Sequence, residues 1–409
     1  MVSDKSRVII VSTYPPEHCG VGRDAFQLVK ALSGFRDVSV LGNITPGAAL
    51  EEGAVTRVWR KNDLLYPLRI VREIGRVAKP SEAIVHVYHH FNLYGGPRSI
   101  PLFPLLILLL RIRGYRVVVQ PQSVVDSREL TTLAGSYGGR LPPWLLTAGL
   151  RLFYRTLAGL GTRVAVCTTS MERLLVERYG LRADRIWVVP VGWQEVTSSR
   201  IEGDPKELLS LQRRTVIMFH GFLDPTKGLG DLLEGFARVH REFPDTHLVF
   251  AGEISPHLGK AGEEFLQGLK KRAADLGLAG DVTFTGYTEE ERLGRTLAAA
   301  DVFVLPYTML ASHGGSASLS RVAGFGKPLV ASRISRFEDE IADGETGLLV
   351  APGNPEEIAA AIRRILSASS LANRLGNNLR KLAGERSWQV SARLLDQKLY
   401  PSLRSVSSN

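Results

Sequence analysis

Ala300-Asp301-Val302-Phe303-Val304-Leu305-Pro306 leads into the turn His313-Gly314-Gly315-Ser316-Ala317-Ser318 and then Ser320-Arg321-Val322-Ala323-Gly324-Phe325-Gly326-Lys327-Pro328-Leu329-Val330. A short apolar run closed by a proline reads as a buried parallel strand. The Gly/Ser turn that follows opens a helix. Glycine lets backbone approach a ligand closely, and the first amides of a helix point outward unpaired. Together they form an anion site, for which phosphate is the usual occupant. Gly326-Lys327-Pro328 ends the helix and starts the strand Leu329–Ser332. Many α/β domains use such a turn only for tight packing, so the run by itself does not name a function.

Working outward, the second half alternates strands and helices. It reads Val216–His220, Leu229–Phe243, Thr246–Ala251, Glu263–Leu276, Val282–Phe284 and Glu289–Ala299, then the quoted run. The first half reads strand Val8–Ser12, helix Gly22–Leu32, and strands Val38–Leu41, Ile84–Val87 and Val117–Val119. Strand Val164–Cys167, helix Met171–Tyr179 and strand Ile186–Val189 close it. Strands separated by helices imply parallel βαβ units, with ligands outside the carboxyl ends of the strands. The expected class is α/β with two Rossmann-like, doubly wound domains facing across a cleft. The expected boundaries are 1–195 for the first domain, 196–212 for a linker, 213–384 for the second, and 385–409 for a final helix crossing back to the first.

At 409 residues the chain exceeds one ordinary core. Two cysteines, Cys19 and Cys167, exclude a disulfide framework. The first apolar run is too short for a secretory signal, so a cytoplasmic protein is expected. Residues 1–200 carry 26 Lys/Arg against 15 Asp/Glu, whereas residues 201–409 carry 25 against 26. The whole surplus of +10 therefore belongs to the first half. No zinc-finger, homeodomain or aromatic RNA-platform signature accompanies it, so nucleic acid is not the expected partner. An anionic membrane surface or an anionic acceptor accounts for it better, with a scattered basic surface as the bland alternative. Residues 140–155 mix Trp144, Leu145, Phe153 and Tyr154 with Arg140, Arg151 and Arg155. An interfacial helix and an amphipathic helix on the protein's own core both fit that pattern. The apolar stretch Ile100–Leu110 is too short to span a bilayer and reads as a helix packed on the sheet. His86, His89 and His90 match no common zinc spacing, and a polar strand end at the cleft is the expectation. No metal site is expected.

Several motifs occur in a fixed order. They are Tyr14-Pro15-Pro16-Glu17-His18-Cys19-Gly20-Val21-Gly22-Arg23, Gly221-Phe222-Leu223-Asp224-Pro225-Thr226-Lys227-Gly228, Phe250-Ala251-Gly252-Glu253 and Phe284-Thr285-Gly286-Tyr287. The quoted run, Asp343-Gly344-Glu345-Thr346-Gly347-Leu348-Leu349-Val350 and Ser387-Trp388 complete the series. Over almost the whole chain this series resembles the family 4 retaining glycosyltransferases of GT-B fold. The resemblance implies a sugar nucleotide on the second domain, a glycan or lipid-linked acceptor on the first, and no metal or other cofactor. It also implies a same-face displacement in which the leaving phosphate oxygen helps deprotonate the acceptor hydroxyl, with no protein nucleophile.

Carried onto this chain, the resemblance gives Lys227 the diphosphate. It lines the donor site with Gly221, Phe222, Glu253, Tyr287, Gly314, Gly315, Ser316 and Ala317, and the acceptor side with Gly20, Val21 and Gly22. Glu253 reads equally as a solvated loop carboxylate. The family's arginine before the lysine is Phe222 here. Its two glutamates fall on His313 and Arg321, and its first-domain histidine falls on Gln122. Histidine accepts one hydrogen bond and arginine none. Arg321 could restore the cation lost at Phe222, or it could point to solvent. Two functions follow, an active transferase with an altered donor constellation and a catalytically silent paralogue that supports another glycosyltransferase. Retained glycines, Lys227 and His313 favour activity. A nucleotide-sugar epimerase or a phosphorylase of related architecture fits the motif order less well.

Overall fold

The computed structural model describes residues 6–127, 143–196, 203–256, 258–308 and 312–400. The expected helix start at 140–142, part of the expected linker (197–202) and the tail beyond 400 lie outside them. The chain divides into two compact units. One comprises Met1–Gly192, Ala311–Gly315 and Trp388–Asn409, the other Trp193–Leu310 and Ser316–Ser387.

The first unit is built on β1 (Arg7–Val11), β2 (Val38–Asn43), β3 (Glu51–Glu52), β4 (Val55–Trp59), β5 (Ala83–His89), β6 (Arg116–Pro121), β7 (Ser123–Val125), β8 (Arg163–Val166) and β9 (Ile186–Val188). Its sheet runs β3-β4-β2-β1-β5-β6-β8-β9, parallel except for β3. Val8–Val11 and most of β5 are sealed from solvent, because central parallel strands are covered on both faces. His86 and His89 share that burial, and both have their pKa pushed down to about 3 by it. They are core residues, which corrects the expectation of a polar strand end.

Helices α1 (Gly20–Leu32), α2 (Tyr66–Val77), α3 (Leu102–Ile112), α4 (Pro143–Gly159) and α5 (Thr169–Arg173) supply the crossovers. The steps β4 to β5, β5 to β6 and β6 to β8 all go the same way across the sheet, so right-handed connection puts α2, α3 and α4 on one face. The step β1 to β2 is opposite and puts α1 on the other.

The second unit holds β10 (Thr215–His220), β11 (Thr246–Ala251), β12 (Val282–Phe284), β13 (Val302–Leu305), β15 (Leu329–Ser332) and β16 (Leu348–Val350), all parallel, in the order β12-β11-β10-β13-β15-β16. Its helices are α6 (Leu229–Glu242), α7 (Lys260–Asp275), α8 (Glu290–Ala298), α9 (Ala317–Val322), α10 (Ser335–Glu338), α11 (Pro355–Ser367) and α12 (Ser369–Glu385). Pro355 at the first turn of α11 and an Asn354 side chain accepting from two amides show how the sequence fixes that start. Lys206, inside the expected linker, binds Asp301 of this unit at 2.7 Å.

The remaining short strand, β14 (Ser312–Gly314), pairs antiparallel with β7 and belongs to the first unit. So does the last helix, α13 (Trp388–Leu399), which packs along α1. Arg36 fastens its end by an ion pair to Asp396 and a 2.7 Å bond to the Tyr400 carbonyl, and the Tyr400 hydroxyl meets His86.

Candidate functional site

In the second unit, missing side chains let the loop after β10 lie close against α9 and against the chain leaving β13. Gly221 has φ 138°, and a Cβ there would stand 2.6 Å from Ser318 Oγ. Gly228 has φ 63°, and a Cβ there would overlap the Pro306 carbonyl oxygen. Both positions therefore require glycine on conformation and on space. The close approach at Gly228 carries Lys227 to the carboxyl end of β13. Its Nζ lies 3.8 Å from the Tyr307 ring centroid, a cation–π distance. The Tyr307 hydroxyl donates to Ser318 Oγ at 2.9 Å, which ties the lysine platform to α9. Ser316 caps α9 by accepting from the Leu319 amide at 3.2 Å.

Phe222 is half-buried beside this loop, and Ala317 is exposed. The Leu223 amide donates to the Glu253 carbonyl at 2.8 Å, so Glu253 sits next to the same loop. Tyr287 stands 55% exposed. Arg321 is largely covered, and its Nη2 lies 2.6 Å from Glu290 Oε2.

The other expected residues lie in the first unit. His313 is paired with Val124, and a Cβ on Gly314 would stand 2.5 Å from the Gln122 carbonyl oxygen. Gln122, His313 and Gly314 are therefore brought together by β7 and β14. Gly315 gives its amide to Cys167 Sγ at 3.0 Å, and a Cβ there would stand 2.9 Å from Val191 Cγ2. Both glycines leave room for close neighbours within the first unit, the Gln122 backbone at Gly314 and the Val191 side chain at Gly315. Gly20 and Val21 open α1, and Gly22 lies against Thr13, where a Cβ would stand 3.1 Å from the carbonyl oxygen. One turn on, Asp24 lines a small cavity with Tyr88, Gln122, Gly192 and Trp388. Burial pushes its pKa up to about 7, with Arg23 opposing. Among the described residues, no group of three or more His, Cys, Asp or Glu is arranged to hold a metal ion.

Sequence reasoning missed Tyr307, Ser318, Glu290 and Asp24. Tyr307 directly follows Pro306 and could have been flagged, but nothing local pairs it with Lys227.

Residues 201–382 match the family model of glycosyl transferases group 1. The D-inositol 3-phosphate glycosyltransferase of Geodermatophilus obscurus is 30% identical over 231 residues, covering 56% of this chain and 50% of that protein. The chain thus spans about half the length of that relative. The alpha-D-kanosaminyltransferase of Streptomyces kanamyceticus is 25% identical over 327 residues, 78% of this chain and 76% of that one. Among solved structures, Anabaena Alr3699/HepE in complex with UDP superposes with a TM-score of 0.72 at 15% identity, covering 96% of this chain and 99% of that one. The two Rossmann-like sheets are thus those of the GT-B fold.

Proposed function

We propose that the protein is a retaining glycosyltransferase that moves a sugar from a nucleoside-diphosphate donor to a hydroxyl of a glycan or lipid-linked acceptor. The observation that supports this best is Lys227, whose ammonium group is held over Tyr307 at the end of β13, inside the stretch that matches the group 1 family model. In this reading the bond between the sugar anomeric carbon and the β-phosphate oxygen breaks. The acceptor hydroxyl bonds to the same face of that carbon, and its proton passes to the departing phosphate oxygen. The chain stabilises the leaving diphosphate and needs no nucleophile of its own. Lys227 supplies the countercharge, so no metal is called for, and a chelator should leave turnover unchanged.

Gly221, Phe222, Glu253, Tyr287, Ser316 and Ala317 border the nucleotide sugar. On the first unit, Gln122 and His313 offer hydrogen bonds to sugar or acceptor hydroxyls, and Gly20, Val21 and Gly22 in the first turn of α1 border the acceptor. Arg321 shapes the donor wall through Glu290. The complexes of the Anabaena neighbour with UDP and with UDP-glucose make those two ligands the first probes. The reaction is expected at the cytoplasmic face of an anionic membrane, in keeping with the charge surplus of the first half. The test is UDP release coupled to formation of an α-linked glycoside from UDP-glucose and a panel of hydroxyl acceptors. Product of inverted configuration would remove the retaining reading. UDP binding without turnover on any donor and acceptor would remove the transferase reading altogether.

A further inference from the structure

Among the described residues, thirteen large apolar side chains stand exposed, and nine of them lie on the single layer formed by α2, α3 and α4. Leu64, Leu65 and Leu68 crowd the start of α2. Leu105, Leu108 and Ile112 form a stripe along α3 at spacings of three and four. On α4, Trp144 and Leu145 stand exposed in the first turn and Leu152 two turns further on, while Phe153, Tyr154 and Leu157 of that helix face the core. Helix α2 packs on α3, and α3 on α4, so the three sets share one surface. Scattered exposed leucines need no explanation, but such a concentration marks a contact surface.

The charge on the same layer identifies the occupant. Over their spans the three helices carry six arginines and one glutamate, and α3 and α4 carry no acid at all. Arg69 and Arg76 are paired with Asp63 and Glu73, whereas Arg72 and Arg151 make no ion pair among the described residues. A twofold copy of the chain would bring this arginine-rich layer against itself, and like charges across an interface are costly. An anionic bilayer satisfies both features, accepting apolar side chains at depth and arginines at its headgroups. No described helix is long and apolar enough to cross a membrane.

Topology also orients the contact. Each of the three helices starts beyond the carboxyl end of the strand before it, so their N-termini lie on that edge of the sheet. Leu64, Leu65, Trp144 and Leu145 stand there, on the same edge as Gln122 and the first turn of α1, Gly20-Val21-Gly22.

We propose that the α2–α3–α4 layer is a docking face for anionic bilayers and that it presents a lipid-anchored acceptor to the carboxyl edge of the first sheet. The second half of this statement rests on the transferase reading; the first half does not. The test is sedimentation of the full chain with vesicles of phosphatidylcholine alone or mixed with phosphatidylglycerol. Binding is expected only to the mixture and should weaken with salt. The variant Leu108→Glu/Ile112→Glu and the variant Arg72→Glu/Arg151→Glu should each lower partitioning by about tenfold or more, with UDP affinity and melting temperature unchanged. Absence of binding, equal binding to both vesicles, or variants that bind as the parent does would overturn the docking face. So would a dimer in solution that Leu108→Glu/Ile112→Glu dissociates. Vesicle binding by a chain that binds no nucleotide would leave the docking face standing and remove the transferase reading instead.

Discussion

Arg321 is held by Glu290, Nη2 to Oε2 at 2.6 Å, on the helix that follows the Gly/Ser turn. A guanidinium engaged by a carboxylate is a poor phosphate ligand, because binding the phosphate would leave the carboxylate without its countercharge. Arg321→Ala is therefore expected to leave UDP affinity within about twofold and to cost roughly 1 kcal/mol of stability. Calorimetric titration with UDP and uridine, beside a melting curve, checks both. A loss confined to UDP and larger than about tenfold would show that Arg321 swings to the diphosphate.

Lys227 carries the countercharge argument. Lys227→Met keeps the apolar stem over Tyr307 and deletes the ammonium. UDP affinity should drop by about 1.5–3 kcal/mol, the usual value of a charge-assisted bond, while uridine affinity stays unchanged. Equal losses for both ligands would mean that the loop, not the charge, had been disturbed.

Gly315 looks like a phosphate-cradle position in the sequence, yet its amide donates to Cys167 and its missing side chain makes room for Val191. Gly315→Val should lower the melting temperature of the protein, the overpacking cost being about 1–3 kcal/mol. Gly47→Ala is a useful contrast, since Gly47 has φ 78° but nothing near its Cβ position. If Gly315→Val abolishes UDP binding with no thermal effect, the cradle assignment is the right one.

Asp24 gives stability a pH slope of known sign. Burial raises its pKa from 3.8 to about 7, so the folded state binds that proton more tightly than the unfolded state. The contribution is complete below about pH 4 and is lost as pH rises through 7, at most about 4 kcal/mol in all. Glu340, buried and raised to about 7, acts in the same direction. His86 and His89, held neutral with pKa values near 3, act oppositely: their contribution is present above about 6.5 and is lost as pH falls towards 3. Asp24→Asn should therefore gain stability relative to the parent at pH 8 and not at pH 5, by urea titration at each pH. A difference independent of pH would mean that Asp24 does not titrate in that window.

Apolar runs, glycine positions and motif order were enough to read two parallel α/β units, because the periodicity of burial and the need for positive φ are written residue by residue. Val302–Leu305 and Gly228 are legible in this way. The basic first half was equally legible, since charge is a sum. What each polar residue touches was not. His86 and His89 look like a polar strand end until the neighbouring strands and α13 seal them in, and Tyr400, more than three hundred residues away, supplies His86 with its partner. That Gly314 pairs with Ser123 and that the Gly315 amide meets Cys167 was not legible either, since those partners lie well over a hundred residues away in the chain. Lys227 meets Tyr307, and Arg321 meets Glu290, only because the strand ends of one sheet gather loops far apart in sequence. A side chain's partner depends on positions in space, and tertiary packing alone sets those.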